Sequence, residues 1–393
     1  MSGAWYLGWR YLAFHKIKCA TLMASITLML FLPAATRVLV SDSAAALTAR
    51  ANDTPLLLGA AGSRLELVLN SLYFQTGQPA AVSNKTLEQV QATGLGEFIP
   101  LNTRFQSLGH PIVGTTLDYF AFRGLKLAEG RQLGMLGECV IGAAAAVQQD
   151  VGIGDYLVSS PETVFDIAGV YPLKMTVVGV LEPSGSADDD AIFVDIRTTW
   201  IIQGLGHGHQ DLSRPEARAA ILNRKEGVIT ANAAVSQYTE ISAHNIADFH
   251  FHGNSSDFPL TSIIAVPPDE KIATLLRGRY LSDEQDLQLL VPSTVLDELL
   301  ETVFTVQNYV VLGLAMLGLA TVAVIILVFM LSQQLRRGEF HTLSRIGASR
   351  TYIGLLVASE LVFIFVGSTL LATLLILGMK QYALQILQGF LTL

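Results

Sequence analysis

The chain has 393 residues, a formal net charge of −8, 51% hydrophobic residues and a mean hydropathy of +0.46. That hydropathy is too high for an ordinary water-soluble enzyme and too low for a protein made mostly of bilayer spans, so a few membrane helices plus one sizeable water-exposed region are expected. The acidic balance points to no nucleic-acid partner.

At the start of the chain, Trp5, Trp9 and Leu12 recur at i, i+4 and i+7, with Tyr6, Tyr11 and Phe14 nearby and Arg10, Lys16 and Lys18 interspersed. The spacing predicts an interfacial amphipathic helix over 1–18, its Trp and Tyr rings at headgroup level. Residues 19–40, "CATLMASITLMLFLPAATRVLV", form an apolar run long enough to cross a hydrocarbon core of ~30 Å, which takes about 20 residues of helix. Pro33 interrupts it, and Arg37 near its end can snorkel outward. Ala44-Ala45-Ala46 offers a small-residue cleavage site, but the preceding segment is long and aromatic and the run exceeds a usual signal-peptide core. A retained span is expected.

Residues 41–307 alternate short β-like runs with helical ones and are long enough for a domain with its own core. "ECVIGAAAAVQQDVGIGDYLVSS" predicts a strand, a helix, a turn at Gly152-Ile153-Gly154-Asp155, then a strand. "KMTVVGVLEPSG", "AIFVDI" and "LTSIIAVPP" are β-branched runs bounded by turn residues, and "DEKIATLLRG" is helix-prone. Segments 182–190 and 203–215 are predicted loops. Asp188-Asp189-Asp190 in the first reads as an acidic surface loop, with cation binding as the alternative. The two cysteines, Cys19 and Cys139, lie on different sides of this division and cannot pair, so the domain must rest on an apolar core that includes Cys139.

Five of the eight histidines fall between 207 and 252. If 248–252 is extended, its period of two puts Asp248, His250 and His252 on one face and Phe249 and Phe251 on the other. His207 and His209 sit in a Gly-rich stretch that can close over this strip. Nitrogen and carboxylate donors suit zinc or another divalent metal; the alternative is a half-buried strand whose polar face happens to carry imidazoles.

"STVLDELLETVFTVQNYV" is predicted helical and continues into an uncharged apolar run at 308–331; a third run, 353–379, carries one acid, Glu360. The linker between them, 332–352, holds Arg336, Arg337, Arg345 and Arg350 against Glu339, with Phe340, Leu343 and Ile346 at helical spacing. It is either a positive turn that orients the protein against lipid headgroups or an amphipathic helix that docks on another protein. A mid-bilayer charge on an isolated helix costs about 2.5–3.5 kcal/mol on insertion scales, so Glu360 faces a helix partner or water, or else reaches the nearby interface. The tail, 380–393, is too short to cross unaided and is expected at the outer interface.

Two crossings separate the basic segments 1–18 and 332–352, so both lie on one side, the cytoplasm. Residues 41–307, with 31 acidic against 16 basic side chains, then face outward. The expected fold is an integral membrane α-helical protein of three spans, with a large mixed α+β periplasmic domain between spans 1 and 2. No phosphate-loop motif, zinc-helix motif or Ser-His-Asp order is present, so neither a catalytic residue nor an enzymatic activity of the chain itself is expected.

The order of these elements resembles the permease subunits of FtsX/MacB-type (type VII) ABC transporters. The segment "ECVIGAAAAVQQDVGIGDYLVSS…KMTVVGVLEPSGSADDDAIFVDI" is similar to that family's outer domain, and "LRRGEFHTLSRIGASRTYI" resembles its R-x-x-E-x-x-x-L-R-x-I-G-A-x-x-x-x-I pattern. The resemblance implies a bacterial inner-membrane protein whose linker helix docks on a separate cytoplasmic ATPase that holds ATP and Mg. Phe340, Leu343 and Ile346 would be its apolar anchors, Arg336, Arg337, Arg345 and Glu339 its charged rim, and Gly347 its end. It also implies pairing with a second permease copy or a related permease, and it leaves room for a periplasmic binding protein. One departure is that the family usually has four spans. Two alternatives stay open: metal-ion transport using the histidine strip, and a signalling scaffold that activates a cell-wall hydrolase or sensor.

Overall fold

The three apolar runs become helices longer than the runs themselves, because nothing at the run ends breaks them. The computed structural model describes residues 2–75, 77–160, 172–208, 221–225, 228–231, 240–280 and 286–391. The chain begins with α1 (Ser2–Phe14) and α2 (Lys16–Asn52). There follow β1 (Leu56–Ala60), α3 (Arg64–Tyr73), β2 (Val82–Ser83), α4 (Asn84–Gln91), β3 (Glu97–Ser107), β4 (His110–Thr115), α5 (Leu117–Arg123) and β5 (Leu127–Gly130). The middle holds β6 (Glu138–Ile141), α6 (Ala143–Gln149), β7 (Tyr156–Val158), β8 (Lys174–Leu181), β9 (Ile192–Asp195), α7 (Ile196–Ile202), β10 (Gly206–Gly208), β11 (Ile221–Lys225) and β12 (Val228–Ala231). Then come β13 (Phe249–Phe251), β14 (Pro259–Leu260), β15 (Ser262–Val266), α8 (Glu270–Arg279), β16 (Leu287–Leu290), α9 (Pro292–Leu335), α10 (Arg337–Arg345) and α11 (Arg350–Leu391).

Two compact units result: Met1–Leu47 with Asp297–Leu393, and Thr48–Leu296. The expected outer domain at 41–307 is therefore drawn in at both ends. α2 passes through the alanine-rich 44–46 and stops only where Asn52-Asp53-Thr54-Pro55 offers turn residues, while α9 starts at Pro292, a residue suited to a first helical turn. In the expected tail, 380–393, the backbone continues α11 to Leu391, since no proline interrupts it.

In the helical unit, Lys16–Asn52, Pro292–Leu335 and Arg350–Gln381 are long and apolar enough to cross a membrane. α1 packs along α11. A Cβ on Gly8 would stand 2.2 Å from the Ser359 hydroxyl, so a larger residue there would displace that hydroxyl, and Ala4 is buried beside it. The Trp5 and Trp9 rings meet Phe363 edge-on at 5.5 and 5.7 Å. α2 joins through Leu22 with Leu12 and Ile364, and through hydroxyl bonds from Thr27 to the Ser368 carbonyl and from Ser368 to the Met23 carbonyl.

The other unit is built on a mixed ten-stranded sheet in the order β16-β1-β15-β3-β4-β9-β6-β8-β5, with β7 also on β8. β4 with β9 and β6 with β8 are parallel; the remaining pairs are antiparallel. One core cluster gathers Phe105, Ile112, Cys139, Ile141, Val177 and Val194; a second gathers Leu58, Val90, Phe98, Trp200, Phe258 and Ile263. Cys139 is fully buried, and burial pushes its thiol well above the usual value. Both cysteines are free.

Candidate functional site

α10 sits between two breaks, and their chemistry sets its bounds. At the front, Arg336 leaves helical geometry with φ −90° and ψ 4°. At the back, Gly347 takes φ +102°; its N–H donates to the Ser344 carbonyl and that of Ala348 to the Leu343 carbonyl, the double bond of a Schellman cap. No residue of α10 is fully buried. Phe340 and Leu343 are half-buried, whereas Arg337, Glu339, Arg345 and the following Ile346 are exposed.

Arg336 departs from the exposed rim expected for it. It is 8% exposed, and its Nη1 donates to both oxygens of Glu360, itself 2% exposed, at 2.7 and 3.0 Å. Its Nε donates to Glu339 at 3.1 Å, and the Tyr11 ring covers the guanidinium at 3.6 Å. The alternatives for Glu360 thus resolve into a helix partner. A carboxylate this deep in apolar surroundings needs a cation at bonding distance, and the break at Arg336 turns one inward. Lys18 adds a bond to the Ser332 hydroxyl in the same unit.

Histidines converge in the other unit, on a small antiparallel ribbon. β10, in the segment expected to be loop, pairs with β13 in the register Gly206↔Phe251, His207↔His250, Gly208↔Phe249. The Phe249 and Phe251 rings pack inward over the two glycines, where a Cβ would meet them at 2.6–2.7 Å. Trp200 and Phe258 back Phe251. The opposite face therefore presents His207 and His250 side by side, with His252 two residues on; the Nε2 atoms of His207 and His252 are 3.3 Å apart. Ligand atoms of all three lie within 4.8 Å of one another. Asp248 is not part of this group, contrary to the sequence pattern. It closes the 3-10 turn Ile246–Asp248 rather than extending the strand, and contributes its carbonyl oxygen, 3.3 Å from His250 Nδ1. His209 lies outside the described residues.

A family model, the MacB-like periplasmic core domain, matches residues 23–221, about half of the chain. The chain belongs to the FtsX/MacB-type family of ABC transporter permeases. Among solved structures, the periplasmic region of MacB from Actinobacillus actinomycetemcomitans aligns at 10% identity and TM-score 0.34, covering 63% of this chain and 92% of that one. The extracellular domain of the noncanonic ABC-type transporter YknZ from Gram-positive bacteria aligns at 12% identity and TM-score 0.31, covering 60% and 98%. A domain of a putative permease protein from Porphyromonas gingivalis aligns at 12% and 0.26, covering 60% and 86%. At such scores membership rests on the family model. No curated protein matches the sequence.

Within the matched MacB-like region lies a polar cluster that sequence reasoning missed. Arg50, in the last turn of α2, holds Asp188 in two bonds of 2.5 and 2.8 Å, and Tyr119 bridges them at 2.7 Å on each side. All three are buried. Burial pushes the Asp188 carboxyl up, but Arg50 and Tyr119 outweigh it and hold it below the usual carboxylate range. Arg123 adds bonds to the Thr54 hydroxyl and the Arg50 carbonyl. The triple-aspartate segment is therefore no acidic surface loop. Asp188 is an internal anchor, Asp189 accepts from the Ser184 and Gly185 N–H groups, and Asp190 pairs with His110. A sequence signal existed in the lone arginine ending a helix that enters an acidic domain.

Proposed function

We propose that the chain is the non-catalytic membrane subunit of an ABC transporter in a bacterial inner membrane, and that α10 is the handle through which a separate cytoplasmic ATPase moves it. The carrying observation is α10 itself: a capped amphipathic helix joined to two apolar helices, with Phe340, Leu343 and Ile346 along one side and no fully buried residue. Family membership supports the ATPase as the occupant, because FtsX/MacB-like members work with one. In this reading Phe340, Leu343 and Ile346 fill its groove, while Arg337, Arg345 and Glu339 rim it. Arg336 has a different duty, fixing the angle at which α10 leaves α9. Two permeases, either identical or related, face a pair of ATPase subunits. Closure of that pair on ATP and Mg draws their α10 helices together, and the movement passes along the second span to reshape the outer domain and move or release a substrate.

The test is a Phe340→Asp/Leu343→Asp variant in cells that contain the ATPase. It should lose co-purification of the ATPase while keeping the wild-type unfolding temperature in detergent. A photocrosslinker at Ile346 should capture the same partner; capture of phospholipid alone would return α10 to an orienting turn.

A further inference from the structure

We propose that His207, His250 and His252 form a binding site for one zinc-like divalent transition-metal ion, these three being its ligands among the described residues. The inference stands on the ribbon's geometry and does not rest on the coupling reading. The register places His207 directly opposite His250, and the strand period returns His252 to the same face. That face cannot turn over, because Phe249 and Phe251 occupy the space above Gly206 and Gly208 and are packed into the core.

Distances fit an ion. Two imidazole nitrogens bound tetrahedrally at about 2.0–2.1 Å from zinc stand about 3.3–3.4 Å apart. The His207 and His252 Nε2 atoms are 3.3 Å apart, and the third ligand atom is within 4.8 Å of both. Small rotamer changes at exposed side chains bring it in. The His250 Nδ1 is 3.3 Å from the Asp248 carbonyl, so an N–H there donates to the backbone and leaves Nε2 for the metal, the outer-shell arrangement usual for metal-bound imidazole. The donor set is imidazole throughout. It suits zinc, copper(II) or nickel(II) and disfavours calcium and magnesium, which take oxygen ligands. Two of the three imidazoles, His250 and His252, are exposed, so an ion reaches them directly from water. A competing account of the 3.3 Å contact is an N–H···N bond between two neutral rings, which needs no third histidine.

The experiment uses tag-free, full-length protein in detergent, stripped with chelator and then exposed to zinc. Wild type should retain about one zinc per chain after desalting, and zinc should raise its unfolding temperature. His207→Gln and His252→Gln should each weaken zinc binding by at least ~10–100-fold, the loss that follows removal of even an outer-shell partner. His244→Gln, outside the trio, should bind as wild type. Should a variant fail to fold, X-ray absorption of zinc-loaded wild type decides: a first shell of imidazole nitrogens supports the site, and one containing thiolate or dominated by carboxylate overturns it. Failure of wild type to retain zinc, or equal retention by the His207→Gln/His250→Gln/His252→Gln variant, also overturns it.

Discussion

Arg336 and Glu360 cover each other's charge in a setting where neither is hydrated, so removing one partner is worse than removing both. Breaking such a pair costs about 3–5 kcal/mol, whereas apolar replacement of both members ranges from neutral to stabilising. Glu360→Gln should therefore lower the unfolding temperature in detergent more than Arg336→Met/Glu360→Leu does. Additive losses in the double variant would mean the two side chains are not energetically coupled. The Arg50–Asp188 pair gives a prediction in pH. Asp188 titrates below its unfolded value of about 3.9, so between those two values the unfolded chain binds more protons and stability rises with pH. The contribution is complete above about pH 4 and disappears as pH falls through the folded value. In urea unfolding, Asp188→Asn should be less stable than wild type at neutral pH, and the gap should narrow at about pH 3. A gap of constant size would remove the charge from the explanation.

Elements meet where side chains are missing. Gly142 precedes α6, and a Cβ there would stand 2.3 and 2.4 Å from the carbonyl oxygens of Asp188 and Asp189. Backbone cannot yield as a flexible side chain does, so Gly142→Ala should destabilise by about 1–3 kcal/mol or more in urea unfolding. An unchanged midpoint would show that the loop moves freely. The strand–helix–turn–strand order around Gly142 was legible in the sequence because residue period and turn chemistry are local properties. Gly347 ended its helix for the same reason. Less local features were hidden. That "GHG" is a strand follows only from "FHF" some forty residues later, whose phenylalanines take the room the glycines leave. The burial of Arg336 depends on Glu360 one helix away and Tyr11 more than three hundred residues earlier, which no spacing rule connects. Asp248 looked like a ligand under a period of two, and a single 3-10 turn removed it.

For the molecule as a whole, charge follows the division of the chain. Of 33 acidic residues only Glu339 and Glu360 fall outside 41–307, and both are bound to Arg336. Arg337, Arg345 and Arg350 consequently keep their positive charge uncompensated by any acid in their own segment, as do Arg10 and Lys16 in theirs. Lysine and arginine in short segments beside spans hold those segments in the cytoplasm, whereas acidic residues have little influence on orientation. The α/β unit should then face outward. Two positions report this cleanly, since Val147 in α6 is 81% exposed and Ile346 after α10 is 79% exposed. In a Cys19→Ser/Cys139→Ala background, Val147→Cys should react with a membrane-impermeant maleimide on intact spheroplasts. In spheroplasts made without the ATPase, Ile346→Cys should react only after the membrane is permeabilised. The reverse pattern would place α10 on the side that has no ATP, and the coupling role would go with it.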